Sequence, residues 1–283
     1  MRVFHVKHPY MRITVLVENT SSCGFPVEHG LSLHVQRNNG QQVLFDMGQS
    51  ELFVQNAARL GIDLDRVDWA VLSHGHYDHG GGLSHFLARN EHAPVYVHCE
   101  AFEPHYSLRD TGLHFIGLDS ALENHPQIRF CQGVFSLPSG GKIFSLGRKK
   151  ETSPPGNRLL YGPDKHENDS FGHEQSLLLE EGGHIVLFAG CAHCGIVAIM
   201  QEATRLAGHP PTHVFAGMHL MKSGLSPREE QRYIEDLAQS LRTYPRCHYY
   251  TMHCTGVEQF EKLHTLMPGR ISYLGTGEAV DLN

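Results

Sequence analysis

The hexapeptide His74-Gly75-His76-Tyr77-Asp78-His79 sets three imidazoles and a carboxylate directly after the apolar run Trp69-Ala70-Val71-Leu72. An apolar strand that ends this way hands its polar residues to the loop beyond it. Neutral imidazole nitrogens and carboxylate oxygens suit divalent transition metals. The pairs His74/His76 and Asp78/His79 are too closely spaced to serve one tetrahedral ion, so two adjacent ions are the natural reading. Gly80, Gly81 and Gly82 then permit a tight backbone before the apolar helix start Leu83-Ser84-His85-Phe86-Leu87. A chain with 23 histidines makes some HxH pair by chance. Asp78, His79 and the glycine run take this cluster past coincidence.

Further apolar runs at 13–17, 31–35, 43–45, 69–72 and 95–97 read as strands, and 51–60 carries Phe53, Ala57 and Leu60 on one helical face before Gly61. The second half repeats the strand-loop-helix theme without repeating sequence. Residues 185–188 precede Cys191 and His193, and Ile196, Ile199, Met200 and Ala203 then mark a helical face. Residues 213–216 precede His219, and Ser226, Pro227 and Glu229 have the N-cap, first-turn proline and capping-box glutamate of a helix start. Residues 249–252 lead to His253, after which Thr255-Gly256-Val257-Glu258 reads as a second capping box. Four strand ends thus deliver histidine to loops, and α/β proteins gather ligands at the carboxyl ends of their strands.

Pro104, Pro126, Pro138, Pro154, Pro155 and Pro163 interrupt the stretch from about 100 to 170, which reads as an irregular insertion in one α/β domain spanning 1–283. Its turn-rich segment Ser153-Pro154-Pro155-Gly156-Asn157 reads as a surface loop or a mobile flap over the pocket. With 23 Lys plus Arg against 30 Asp plus Glu, a net charge of -7 argues against a nonspecific nucleic-acid surface. The run Arg148-Lys149-Lys150 reads as a solvated loop or an anion patch. Met1 to His8 has no continuous apolar core of a signal peptide, and no run is long enough to cross a bilayer, so a cytoplasmic protein without membrane partners is expected. Seven cysteines, an odd number in a chain of this size, are expected as reduced thiols.

The segments His29-Gly30-Leu31-Ser32, Leu44-Phe45-Asp46-Met47-Gly48-Gln49, 72–83, His173-Glu174-Gln175, Gly190-Cys191-Ala192-His193, Gly217-Met218-His219-Leu220 and His253-Cys254-Thr255-Gly256 together resemble the metallo-β-lactamase superfamily. Within it they resemble the branch named after 7,8-dihydropterin-6-methyl-4-(β-D-ribofuranosyl)aminobenzene-5'-phosphate synthase. The resemblance implies an α/β fold of a particular kind, a four-layer αββα sandwich with metals at one edge. It implies that His74 and His76 hold a first ion, that Asp78, His79 and His253 hold a second, and that Cys191 takes the place of the usual bridging carboxylate. His193 and His173 compete to complete the first site. His193 is favoured, because its loop joins an apolar strand to a helix, whereas the approach Asn168-Asp169-Ser170-Phe171-Gly172 suggests flexibility and a substrate-facing His173.

One or two divalent ions are therefore expected, zinc first, with manganese or iron as alternatives. Such ions lower the pKa of bound water toward neutrality and polarise a carbonyl or phosphoryl oxygen. Asp78 would orient the attacking hydroxide, and His219 would contact the substrate or donate a proton. The expected activity is hydrolysis of an ester or phosphoester small molecule, with a phosphorylated pterin-ribose compound suggested by the branch name; the chain is also compatible with a homodimer. The alternative is a binding or sensing protein that keeps its metal without turnover. A redox reading of Cys191 and Cys194 lacks a thioredoxin-like setting. A redox member of the superfamily would be expected to carry a flavin domain, which is not found by Asn283.

Overall fold

The period-2 alternation of buried residues in the strands sorts the chain into layers. In Gln175–Glu181, Leu177 and Leu179 face a second sheet while Leu178 faces helices. The computed structural model describes residues 10–138, 140–148, 153–221 and 223–283. The N-terminal stretch read for a signal peptide lies outside the described residues, as do Lys149 and Lys150 of the basic run.

One seven-stranded sheet runs in spatial order Ala279–Leu282, Met11–Val17, Ser32–Arg37, Gln42–Phe45, Trp69–Val71, Val95–His98, Ile128–Cys131. The other, also of seven strands, runs Ile271–Tyr273, His248–Thr251, His213–Ala216, His184–Ala189, Gln175–Glu181, Lys142–Ser145, Val134–Ser136. Each has an antiparallel flank and a parallel flank. Gln42–Phe45 through Ile128–Cys131 are parallel in the first, and His184–Ala189 through Ile271–Tyr273 in the second. A common apolar seam closes the sandwich, with Ile13, Val35, Phe45 and Val71 from one sheet and Leu177, Val186, Phe188 and Phe215 from the other. Phe45 and Phe188 are fully buried and their rings meet at 5.8 Å. Burying a side chain of that size stabilises by about 2–3 kcal/mol.

Helices cover both outer faces, which makes the four-layer αββα order. Leu52–Arg59 and Leu83–Arg89 pack on the first sheet, and Ile196–Ala207, Pro227–Arg242 and Val257–Leu266 on the second. The helix Leu52–Arg59 is followed by Gly61 at φ 71°. The helix Ile196–Ala207 buries Ile196, Ile199, Met200 and Ala203. Pro227–Arg242 opens with a full capping box between Ser226 and Glu229. The second expected capping box does not form. Gly256 is the N-cap without a side-chain bond, because the Thr255 hydroxyl accepts from Met218 N at 2.9 Å and pairs with Thr251.

The stretch from about 100 to 170, expected as an insertion, is divided among layers: Ile128–Cys131 edges the first sheet, and Val134–Ser136 and Lys142–Ser145 edge the second. Tyr106–Arg109, Gly112–Phe115 and Leu160–Tyr161 form a separate three-stranded sheet. The glycine run is required sterically. A Cβ on Gly82 would sit 2.1 Å from the Met47 carbonyl, and one on Gly81 2.5 Å from that of Gln49.

Candidate metal centre

The carboxyl ends of the parallel strands of both sheets open at one edge. Trp69–Val71 delivers His74 to His79, Gln42–Phe45 delivers Asp46, His184–Ala189 delivers Cys191 and His193, His213–Ala216 delivers His219, and His248–Thr251 delivers His253. Non-glycine residues hold left-handed backbone in these loops: Asp46 at φ 60°, Ala192 at 52°, His219 at 47° and His253 at 53°. Such conformations are strained and persist only where the surroundings enforce them.

Two donor sets result. His74, His76 and His193 bring one ligand atom each within 4.8 Å of one another, with His74 Nε2 and His76 Nδ1 3.0 Å apart. Beside them, His79 Nε2 lies 3.2 Å from His253 Nε2 and 3.2 Å from Cys191 Sγ. Asp78 Oδ2 lies 3.3 Å from His253 Nε2 and 3.9 Å from His79 Nε2. Bonds of about 2.0–2.1 Å in a tetrahedral site put donors about 3.3 Å apart, close to the His74–His76 separation and to the separations of His253 from His79 and Asp78.

Tautomers agree. The His79 Nδ1–H donates to Asp46 Oδ2 at 2.7 Å, the His253 Nδ1–H to Asn19 Oδ1 at 2.9 Å, and the His193 Nδ1–H to Asn157 Oδ1 at 2.9 Å. Ser73 Oγ donates to Asp46 Oδ2 at 2.7 Å and therefore accepts from His74 Nδ1–H at 2.8 Å. Each of these rings turns a bare Nε2 inward, and His193 Nε2 is a buried atom without a hydrogen-bond partner. That is the outer-shell arrangement that fixes metal-ligating histidines.

Electrostatics favours the same chemistry. Burial, then the neighbouring imidazoles, push His74, His76 and His193 well below the usual histidine range, apart from a partial offset by Asp78 at His76 and by Asp169 at both His76 and His193; they are neutral and carry lone pairs. Burial opposes ionisation of Asp78, but His79, His253 and His29 hold its carboxyl well below the usual range. Burial likewise opposes protonation of His79, yet Asp46 and Asp78 raise it. Burial pushes the Cys191 thiol well up, and a coordinated cation would deprotonate it.

The structure brings His74, His76, Asp78, His79, Cys191, His193 and His253 together at one edge. His219 stands beside them, its ring 4.4 Å from that of His193 and its Nδ1 buried without a partner. His173 is not grouped with His74 and His193; it meets His76 in a neighbouring cluster with His105 and Asp169. Gly75 N donates to its Nδ1 at 2.9 Å and its Nε2–H donates to Asp169 Oδ2 at 3.2 Å, so neither nitrogen is free for a substrate. The approach to it is pinned rather than flexible, since Asp169 Oδ1 accepts from Phe171 N at 2.7 Å. The expected flap is also tied down. Pro155–Leu159 forms a 3-10 turn whose buried Asn157 donates to His193 O at 2.8 Å.

Several supporting residues had no role in the sequence reading. Glu174 accepts from His193 N at 2.6 Å and Cys194 N at 2.7 Å, and burial raises its carboxyl to about 6 against those two amides. Glu18 accepts from His253 N at 2.9 Å. Half-exposed His29 lies 3.2 Å from Asp78 Oδ2 at the mouth. Asp46 carried a usable signal, a lone carboxylate ending an apolar strand.

Residues 27–195 match the model of the metallo-beta-lactamase superfamily. The chain belongs to that superfamily. It is 26% identical over 288 residues to the 7,8-dihydropterin-6-methyl-4-(beta-D-ribofuranosyl)-aminobenzene-5'-phosphate synthase of Methanocaldococcus jannaschii, across 90% of this chain and 94% of that protein. It is also 26% identical over 260 residues to an uncharacterised protein of the same organism, with the same two coverages of 90% and 94%. Among solved structures, a metal-dependent hydrolase of the beta-lactamase superfamily superposes with a TM-score of 0.79 at 28% identity, covering 96% of this chain and 99% of that one. Superfamily members typically bind divalent metals, and this fold brings candidate histidine, aspartate and cysteine donors together.

Proposed function

We propose that this superfamily member is a metal-dependent hydrolase of an ester or phosphoester small molecule. The observation that carries the reading is the pair of adjacent donor sets, closely spaced and fixed in tautomer from outside. His74, His76 and His193 would hold one ion; Asp78, His79 and His253 a second, with Cys191 between them. Imidazole and thiol donors favour zinc or iron over magnesium. Bound there, the ions would make water nucleophilic near neutral pH and stabilise charge developing on the attacked oxygen.

The remaining work belongs to side chains. Asp78, ionised and beside His29, orients the attacking water. His219, half-buried beside His193, would contact the substrate or donate to the leaving group. The buried walls keep bulk water away, which strengthens each polar contact. A phosphorylated substrate is supported by the relative in Methanocaldococcus jannaschii, whose name specifies a 5'-phosphate. Among the described residues no helix is long and apolar enough to cross a membrane.

Metal analysis of the purified protein, joined to a panel of carboxyl esters and phosphomono- and phosphodiesters, tests the reading. Turnover abolished by chelation and restored by zinc is expected, with His76→Ala losing most bound metal. Full metal occupancy with no turnover across the panel would instead establish a metal-retaining binding protein.

A further inference from the structure

Four of the five imidazoles in the two donor sets, His74, His79, His193 and His253, have an outer acceptor for Nδ1–H. His76 is the exception. Its Nδ1 faces His74 Nε2 at 3.0 Å and its Nε2 is buried without a partner. An imidazole that gives Nδ1 to an ion carries its proton on Nε2, and a buried N–H needs an acceptor.

His105, just before the strand Tyr106–Arg109, is 2% exposed, and its ring lies 5.6 Å from that of His76. The His105 Nδ1–H donates to Asp169 Oδ2 at 2.9 Å, which leaves Nε2 a bare acceptor, and that atom too is buried without a partner. The two unsatisfied nitrogens therefore have opposite polarity, and Asp169 is what sets it. His105 cannot swing away, since its ring packs at 3.9 Å against His173, itself held by Gly75 N and Asp169.

We propose that His105 is a positioning residue for His76, accepting its Nε2–H directly or through one enclosed water, with Asp169 fixing the His105 tautomer. The same four residues, His76, His105, Asp169 and His173, converge closely enough to suggest a cation site of their own. Both imidazole N–H groups are already committed to one Asp169 oxygen, and His173 Nδ1 to Gly75, so only His105 Nε2 is a bare nitrogen. One nitrogen is too few for a structural ion.

The inference rests on the two-ion reading above, and the test separates the two. In zinc titrations against a competing chelator, His105→Leu is expected to weaken the first ion about 10- to 100-fold, the usual effect of removing an outer-shell partner, while sparing the second. His105→Gln, whose amide oxygen can accept, restores most of that affinity. Asp169→Asn keeps the volume, offers an amide where the carboxylate was, and weakens the first ion as His105→Leu does; it serves if the leucine variant does not fold. Imidazole nitrogen NMR of the ion-free protein shows the His105 proton on Nδ1 in the wild type and on Nε2 in Asp169→Asn, a change that loosened packing would not produce. Unchanged zinc affinity in His105→Leu, or loss of a third equivalent of zinc from it, overturns this inference alone. Retention of the first ion by His76→Ala overturns the two-ion reading and this inference together.

Discussion

Asn157 gives the sharpest handle on the first donor set. Its carboxamide closes a two-point contact with His193, accepting from Nδ1–H at 2.9 Å and donating to the backbone carbonyl at 2.8 Å, at a site 3% exposed. Asn157→Ala removes both bonds and leaves two buried polar atoms unpaired. A net hydrogen bond is worth about 1 kcal/mol and an unsatisfied buried group costs about 1–3 kcal/mol, so a loss of about 2–4 kcal/mol in metal-free stability is expected. Zinc affinity at the first site should fall about 10- to 100-fold, because the ring would no longer be held in the Nδ1–H tautomer that frees Nε2. Asn157→Asp separates the two effects. It still accepts from Nδ1–H and should keep most zinc affinity, yet it repels the His193 carbonyl and should melt earlier than the wild type. Thermal melts of metal-free protein give the first quantity and chelator competition the second. Wild-type zinc affinity in a folded Asn157→Ala variant would refute the claim that this contact orients His193.

Cys191→Asp should retain the second ion, because it offers a carboxylate at the atom now 3.2 Å from His79 Nε2, whereas Cys191→Ala should lose affinity there; equal metal content in both by elemental analysis would dismiss Cys191 as a ligand. Asp46→Asn withdraws charge from an oxygen pair that accepts from Ser73 N, Ser73 Oγ and His79 Nδ1, and should lower stability by about 2–3 kcal/mol and weaken the second ion, measured by denaturant titration and zinc competition. His213 lies away from the site, at the start of a strand, where burial and then His184 and His248 push it down to about 4. A lowered histidine stabilises the fold fully above its unfolded pKa of about 6.5 and loses that contribution as pH falls toward 4, so His213→Gln should flatten the melting temperature between those values; an unchanged profile would show that His213 is not a source of acid sensitivity.

The cluster from His74 to His79 was legible because its donors are consecutive in sequence and sit at the end of an apolar strand. His193, His219 and His253 were legible for a related reason, since each follows a strand and alternation locates strand ends. What supports them was not. Asn157 meets His193 across 36 residues, Asn19 meets His253 across 234, and His105 meets Asp169 across 64. Single polar residues in loops carry no periodicity, so only chain closure reveals such pairs. Thr255 misled for the opposite reason: its local pattern was that of a cap, but tertiary partners claimed the hydroxyl. The proline-broken stretch from 100 to 170 hid strands too short, at three or four residues, to show a clear alternation.

The donors are shared between the two sheets. His74, His76, Asp78 and His79 hang from one, while Cys191, His193 and His253 hang from the other. An ion seated in either set therefore rivets the sandwich shut along its open edge. A ligand present at a thousandfold excess over its dissociation constant stabilises the native state by about 4 kcal/mol. Metal supply would thus govern the mechanical integrity of this protein as well as its chemistry. Starved of metal, the layers should part first at this edge, loosening the seam where Phe45 meets Phe188 and offering proteases an entry that the loaded protein denies them.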